Sequence, residues 1–128
     1  MLLLDTMVLI ASLDPMHPLH NRAIHHLKRV GSDDDVQVPS AAILELDLEL
    51  KSHGFTLDER REAATSLLGY VPEENVLPIT LETIVQAMDL EKIGGYFDAL
   101  IGSTAKLLGA SVASKDKAFA EMGLKIEW

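Results

Sequence analysis

Leu2-Leu3-Leu4-Asp5-Thr6 opens the chain with three apolar residues that end in an acid and a hydroxyl. An opening strand that delivers a carboxylate at its C-terminal end places it where open α/β sheets build their sites. Three more acids stand in apolar settings. Glu45 interrupts an apolar segment that begins after Pro39-Ser40. Asp98 lies in Tyr96-Phe97-Asp98-Ala99-Leu100-Ile101, where a helix is expected to begin. Asp116 follows Ala110-Ser111-Val112-Ala113. Unpaired carboxylates near a core are costly unless a cation offsets them, so these four acids point to a divalent metal site.

Outward from Asp5, the pattern alternates strand and helix. Residues 2–4 read as a strand, 6–13 as a short helix and 18–30 as a longer one with Ile24, Leu27 and Val30 on one face. Gly31-Ser32-Asp33-Asp34-Asp35 reads as a solvated turn, and Val36-Gln37-Val38 as a second strand stopped by Pro39. Residues 44–51 alternate with period two, which by pattern alone is a strand. The segment over 40–52 is rich in Leu, Glu, Ala and Lys, all good helix formers, with no β-branched residue after Ile43, and this favours a helix capped by Ser40. Such a helix is apolar nearly all round, with Glu45 and Glu49 on one narrow polar stripe. Thr56 and Glu59 form a capping-box pattern for a helix that ends near Leu68. Strands are expected at 76–79, around Val112 and at 124–126, and helices at 81–92 and 97–108, broken by Gly94-Gly95. The expected architecture is a single domain over 1–128, a three-layer α/β/α fold with a mostly parallel central sheet.

The totals restrict the function. The chain has 128 residues, 48% of them hydrophobic and 24% charged, as in a soluble globular domain. Its 20 acids against 11 Lys and Arg give a formal net charge of -9. That balance argues against broad, non-specific nucleic-acid binding, yet a bound metal can supply positive charge locally. There is no Cys, so disulfides and thiolate metal sites are excluded. The apolar start lacks a basic leader region and is broken by Asp5, and no segment approaches the roughly 18 apolar residues of a membrane span. We therefore expect a cytoplasmic protein without membrane attachment.

Each acid has a plainer reading. Asp98 can complement a helix dipole, Asp116 can cap a helix over 117–122, and Glu45 can be a surface acid. Asp5 has the fewest structural duties to perform, because it directly ends a buried strand. The motifs resemble those of PIN-domain ribonucleases, specifically the VapC-like toxin branch of toxin–antitoxin modules. Leu4-Asp5-Thr6-Met7-Val8-Leu9 is similar to the family's first motif, and Pro39-Ser40 with Glu45 to its second. Phe97-Asp98-Ala99-Leu100-Ile101 is similar to the third. Ser114-Lys115-Asp116-Lys117-Ala118-Phe119 resembles the fourth, with Ser114 where Thr is commoner. Order and spacing hold over essentially the whole chain.

The resemblance implies a metal-dependent endoribonuclease that uses Mg²⁺ or Mn²⁺, a homodimer, and a cognate antitoxin that inhibits it. Carried over residue by residue, Asp5 and Asp98 become the principal metal ligands. Asp116, as a further metal residue, and Glu45 complete the acidic pocket, directly or through water. Thr6, Ser40 and Ser114 hold a carboxylate or a water in place.

Three rival readings stand beside this one. A phospho-accepting receiver domain needs an acid at the end of a central strand, and Val76-Leu77-Pro78-Ile79-Thr80 offers none. A haloacid-dehalogenase-like phosphatase needs an acid two residues after Asp5, where Met7 stands. A catalytically inactive PIN-like module that binds RNA or protein is the remaining alternative. The five His, including His17, His20, His25 and His26, do not complete a zinc set and are expected exposed and unligated. Lys51, His53, Arg60, Arg61, Lys115 and Lys117 are candidate phosphate contacts that more simply read as solvated charge. Tyr96 and Phe97 are expected in the core. The surplus apolar surface of 41–50, with Leu57, Leu67 and Leu68 beside it, is expected to pair two copies.

Overall fold

The computed structural model describes residues 1–32 and 35–128; Asp33 and Asp34 of the expected turn lie outside the described residues. The element order is β1 (Leu2–Leu4), α1 (Thr6–Leu13), α2 (His20–Arg29), β2 (Val36–Pro39), α3 (Ser40–Ser52) and α4 (Leu57–Leu68). It continues with β3 (Val76–Leu77), α5 (Leu81–Gly94), α6 (Tyr96–Leu108), β4 (Ser111–Ala113), α7 (Lys117–Glu121) and β5 (Ile126–Glu127). The strands form one sheet in the order β3-β2-β1-β4-β5, and every pairing is parallel. Parallel strands need crossover helices, which cover both faces and make the three layers.

The oily opening strand lies at the centre of this order. Leu3 and Leu4 are wholly buried between β2 and β4, among Val36, Val38, Val112 and Ala113. The register pairs Leu4 with Ala113, so the residues that follow, Asp5 and Ser114, leave the sheet side by side. That single register step joins two sites 109 positions apart.

Residues 40–52 are helical, as composition argued and alternation did not. Ala41, Ala42 and Leu46 are buried, and Ile43 and Leu50 pack on the core from its margin. Leu44 and Leu48, one turn apart, are 54% and 50% exposed, so part of the apolar circumference is uncovered. Pro39, not Ser40, holds the N-cap position, and no side chain caps there. A proline at that point ends the strand and its lack of an N–H costs nothing. The α4 capping box is present: Glu59 N–H donates to Thr56 Oγ1 at 3.1 Å, and Thr56 N–H donates to Glu59 Oε1 at 2.9 Å. The one buried side chain of α4 is Leu67.

Other boundaries differ from the expectation. β3 stops at Leu77 because Pro78 cannot continue a ladder. A short 3₁₀ turn, Glu73–Asn75, precedes it. β5 lies two residues later than expected, and α2 begins at His20 rather than at residue 18. Gly94 closes α5, and the turn is made at Gly95, whose φ of 86° is open to glycine. His26 is buried, not exposed, and packs on Trp128 at 5.5 Å. Tyr96, expected in the core, is 61% exposed, whereas Phe97 does pack against the core. Among the described residues, no helix is long and apolar enough to cross a membrane.

Candidate metal centre

The acids approach one another at the C-terminal edge of the sheet. Asp5 caps α1: it follows β1, and its Oδ1 accepts from Thr6 N–H at 2.7 Å. This gives Asp5 a structural duty that its sequence position did not reveal. Its other oxygen, Oδ2, accepts from the Ser114 hydroxyl at 2.7 Å. Ser114 Oγ in turn accepts from Asp116 N–H at 2.9 Å. Asp98 enters from the first turn of α6, and Glu45 from the second turn of α3. Asp5, Glu45 and Asp98 each offer a carboxylate oxygen, and these atoms lie within 4.8 Å of one another. Asp116 is not in that cluster. Its Oδ1 accepts from Ala118 N–H at 2.9 Å and caps α7.

Close packing brings Asp98 in. A Cβ on Gly94 would come within 2.8 Å of the Asp98 Cβ and 2.7 Å of Met122 Cε. The sequence showed Gly94-Gly95 only as a break. Its second role, letting the end of α5 lie against the acid-bearing turn of α6, needs the three-dimensional neighbours.

Among the described residues, only like charges act on these acids. Burial pushes Asp5 up to about 6, against the hydrogen bonds from Ser114 and Thr6 that favour its charged form. Burial and the charges of Asp5, Glu45 and Asp116 push Asp98 up to about 7. Glu45 is raised too, mainly by burial. The Thr6 side chain faces Glu45 closely enough to favour its charged form. Its buried Oγ1 nevertheless makes no hydrogen bond of ordinary geometry.

This donor set fits a hard divalent cation. The ligand atoms are all carboxylate oxygens, with no sulfur or imidazole, which is the preference of Mg²⁺ or Mn²⁺. The buried Thr6 hydroxyl beside Glu45 has an oxygen free to accept from a water in the pocket. Among the basic candidates, Arg60 and Arg61 are engaged elsewhere, with Asp47 at 2.7 Å and Asp58 at 2.9 Å. Lys115 and Lys117 are exposed on either side of Asp116.

A family model for the PIN domain matches residues 2–125. The chain belongs to the PIN domain family. Solved structures with the same fold include FitAcB from Neisseria gonorrhoeae, with a TM-score of 0.73 at 20% identity over 98% of this chain and 96% of that one. VapBC2 from Rickettsia felis, solved bound to a promoter DNA fragment, has a TM-score of 0.72 at 14% identity over 99% and 98%. VapC20 from Mycobacterium tuberculosis, a toxin that cleaves the sarcin-ricin loop, has a TM-score of 0.72 at 18% identity over 97% and 96%. A comparison with curated protein sequences found no match.

Proposed function

We propose that this PIN domain is a metal-dependent endoribonuclease and the toxin half of a toxin–antitoxin pair, acting in the cytoplasm as one domain over 1–128. The observation that carries the reading is the convergence of the carboxylates of Asp5, Glu45 and Asp98. Asp5 and Asp98 would hold Mg²⁺ or Mn²⁺, with Glu45 as a third ligand or the acceptor for a bound water. When bound, the cation supplies an activated water at neutral pH and offsets charge on the phosphate. The chain's own groups prepare for this. Thr6 N–H and the Ser114 hydroxyl fix both oxygens of Asp5. Thr6 Oγ1 can accept from a water near Glu45. Asp116 adds negative charge without entering the cluster, which strengthens the pull on a cation. Ser40, at the start of α3, sits a turn before Glu45. Unpaired RNA is the expected substrate, because its backbone is accessible to a strand-edge pocket.

A groove of about 640 Å³ between α1, α3 and α4 supports a protein inhibitor. Its lining combines apolar Ile10, Leu13, Leu50 and Phe55 with Asp14, Glu49, Glu59, Glu62 and His53. An apolar lining with four acids favours a basic amphipathic segment, the chemistry we assign to the antitoxin. One similar solved structure, from Klebsiella pneumoniae, is described as a toxin–antitoxin complex, which agrees with this partner. For the homodimer, the exposed Leu44 and Leu48 of α3 support the pairing, and α5 adds Leu81, Val85 and Met88 at 78%, 56% and 62% exposure. Leu67 is buried within the protomer and does not contribute.

The deciding assay is cleavage of a single-stranded RNA by purified protein with Mg²⁺, with Mn²⁺ and with chelator. Metal-dependent cleavage that disappears in Asp5→Asn is the expected result. No cleavage with either metal, alongside intact RNA binding, would leave the inactive binding module as the better reading. Light scattering at micromolar concentration tests the dimer: a monomer whose mass and stability are unchanged by Leu48→Glu would end that part.

A further inference from the structure

We propose that Met7 is a positioning residue for the carboxylate pocket: its thioether sulfur ties the first turn of α1 to the β4–α7 turn. This rests on the metal-centre reading above. The pocket's parts come from different strand ends. Asp5 follows β1, whereas Ser114 and Asp116 follow β4, and the sheet register alone ends at Ala113. Just beyond it, Ser114 N–H still donates to Glu127 O at 3.0 Å, and from Lys115 onward the turn is held by side chains. Met7 Sδ lies 3.3 Å from Lys115 N and 3.6 Å from Ser114 Oγ.

The donors of this turn each have a partner. The Ser114 hydroxyl proton goes to Asp5 Oδ2, and Asp116 N–H goes to Ser114 Oγ. Ser114 has no second proton for sulfur, so its contact with Met7 is packing. Lys115 N–H is the donor to Met7 Sδ. Three consecutive residues of the turn are thereby pinned, two by oxygen and the middle one by sulfur. A thioether is a weak acceptor, and water would compete for this N–H at the surface. What suits Met7 is its shape: an unbranched side chain packed against the core, which covers the turn while its sulfur meets the N–H. Loss of the acceptor would let Lys115 swing, and with it the Ser114 hydroxyl that fixes Asp5.

The test separates the sulfur's role from its bulk. Met7→Leu keeps an apolar side chain and removes the acceptor, whereas Met7→Gln restores an acceptor oxygen at similar length. Amide exchange at Lys115 is read by NMR on the full chain, and Mn²⁺ affinity by calorimetry. We expect Met7→Leu to speed Lys115 exchange about fivefold, the scale of one modest hydrogen bond. Mn²⁺ binding should weaken several-fold, kcat on RNA should fall with KM unchanged, and Met7→Gln should return all three toward the original. The proposal is overturned if Met7→Leu leaves exchange and Mn²⁺ affinity unaltered, or if Leu and Gln lose them alike. Should Met7→Leu not fold, the unsubstituted protein still decides: a Lys115 amide that exchanges as in an unstructured chain overturns it. Absence of RNA cleavage with the exchange and Mn²⁺ results as expected would defeat the nuclease reading and support this one.

Discussion

Glu45 and Asp47 stand two residues apart on α3 and meet opposite fates. Asp47 points outward, where Arg60 of α4 grips both its oxygens at 2.8 and 2.7 Å and holds its pKa below the ordinary carboxylate value. Glu45 points toward the sheet edge, among Asp5 and Asp98, and its pKa is raised. The chain therefore has the means to neutralise an acid on this helix and does so at the surface. At the pocket it does not. Repulsion stored among three carboxylates is tolerated when a cation from solution relieves it, and an Arg in that place would compete with the cation.

The sharpest way to break this contrast is to remove one acid from each side. Asp5→Asn or Asp98→Asn should keep the fold and lower metal-dependent RNA cleavage by at least about a hundredfold, as loss of a ligand does. Asp47→Asn should leave cleavage within about twofold, since an exposed pair contributes little. Equal losses on the two sides, measured as initial rates at saturating Mg²⁺, would mean that the pocket is not the seat of the chemistry.

A smaller effect sharpens the same point through stability. Asp5 and Asp98 hold their protons more tightly in the folded chain than in the unfolded one, with values of about 6 and 7. The folded state therefore binds more protons between the ordinary carboxylate range and neutrality. Metal-free stability should fall as pH rises through that window and level off above it, the reverse of a salt-bridged acid. Metal needs the deprotonated ligands, so Mg²⁺ affinity should rise over the same window. At about pH 8 without metal, Asp98→Asn should raise stability by about 1 kcal/mol, a figure discounted because this carboxylate is only half-buried. Mg²⁺ should raise the melting temperature of the unsubstituted protein and not of the variant. A metal-free melting temperature that climbs from pH 5 to pH 7 would sink this account of the pocket.

The difference between the two acids also marks what the sequence could convey. Strand, acid and hydroxyl at 2–6, and a helix break before Asp98, are local signals, and they located β1 and the start of α6. Composition over 40–52 outweighed a misleading alternation because helix propensity sums along a segment. What the sequence could not show was rotation. Whether Glu45 or Asp47 faces the sheet depends on which side of α3 the core covers. Asp116 illustrates the same limit: both its readings were available, and its capping bond to Ala118 is a matter of ångströms. The short edge strands were misplaced by two residues because Pro78 and the neighbouring ladder, not side-chain pattern, set their ends. Met7 gave no signal at all, since sulfur contacts carry no spacing.

The smallest expected effect lies on the neutralised side. α4 is attached mainly by the Asp47–Arg60 pair and the buried Leu67, and open grooves of about 520 and 640 Å³ flank it. With so few buried contacts, its local opening should be easier than that of β1. Arg60→Ala should accelerate amide exchange across Leu57–Leu68 and leave exchange in Leu2–Leu4 untouched. The melting temperature should move by no more than ~1 °C, because an exposed ion pair is screened by solvent. RNA cleavage should be unaffected, since nothing in the carboxylate cluster leans on Arg60. Binding of a basic amphipathic peptide in the 640 Å³ groove should weaken, because α4 forms one of its walls. A tenfold fall in cleavage by Arg60→Ala would instead make α4 part of the catalytic region and erase the distinction between the two faces of α3.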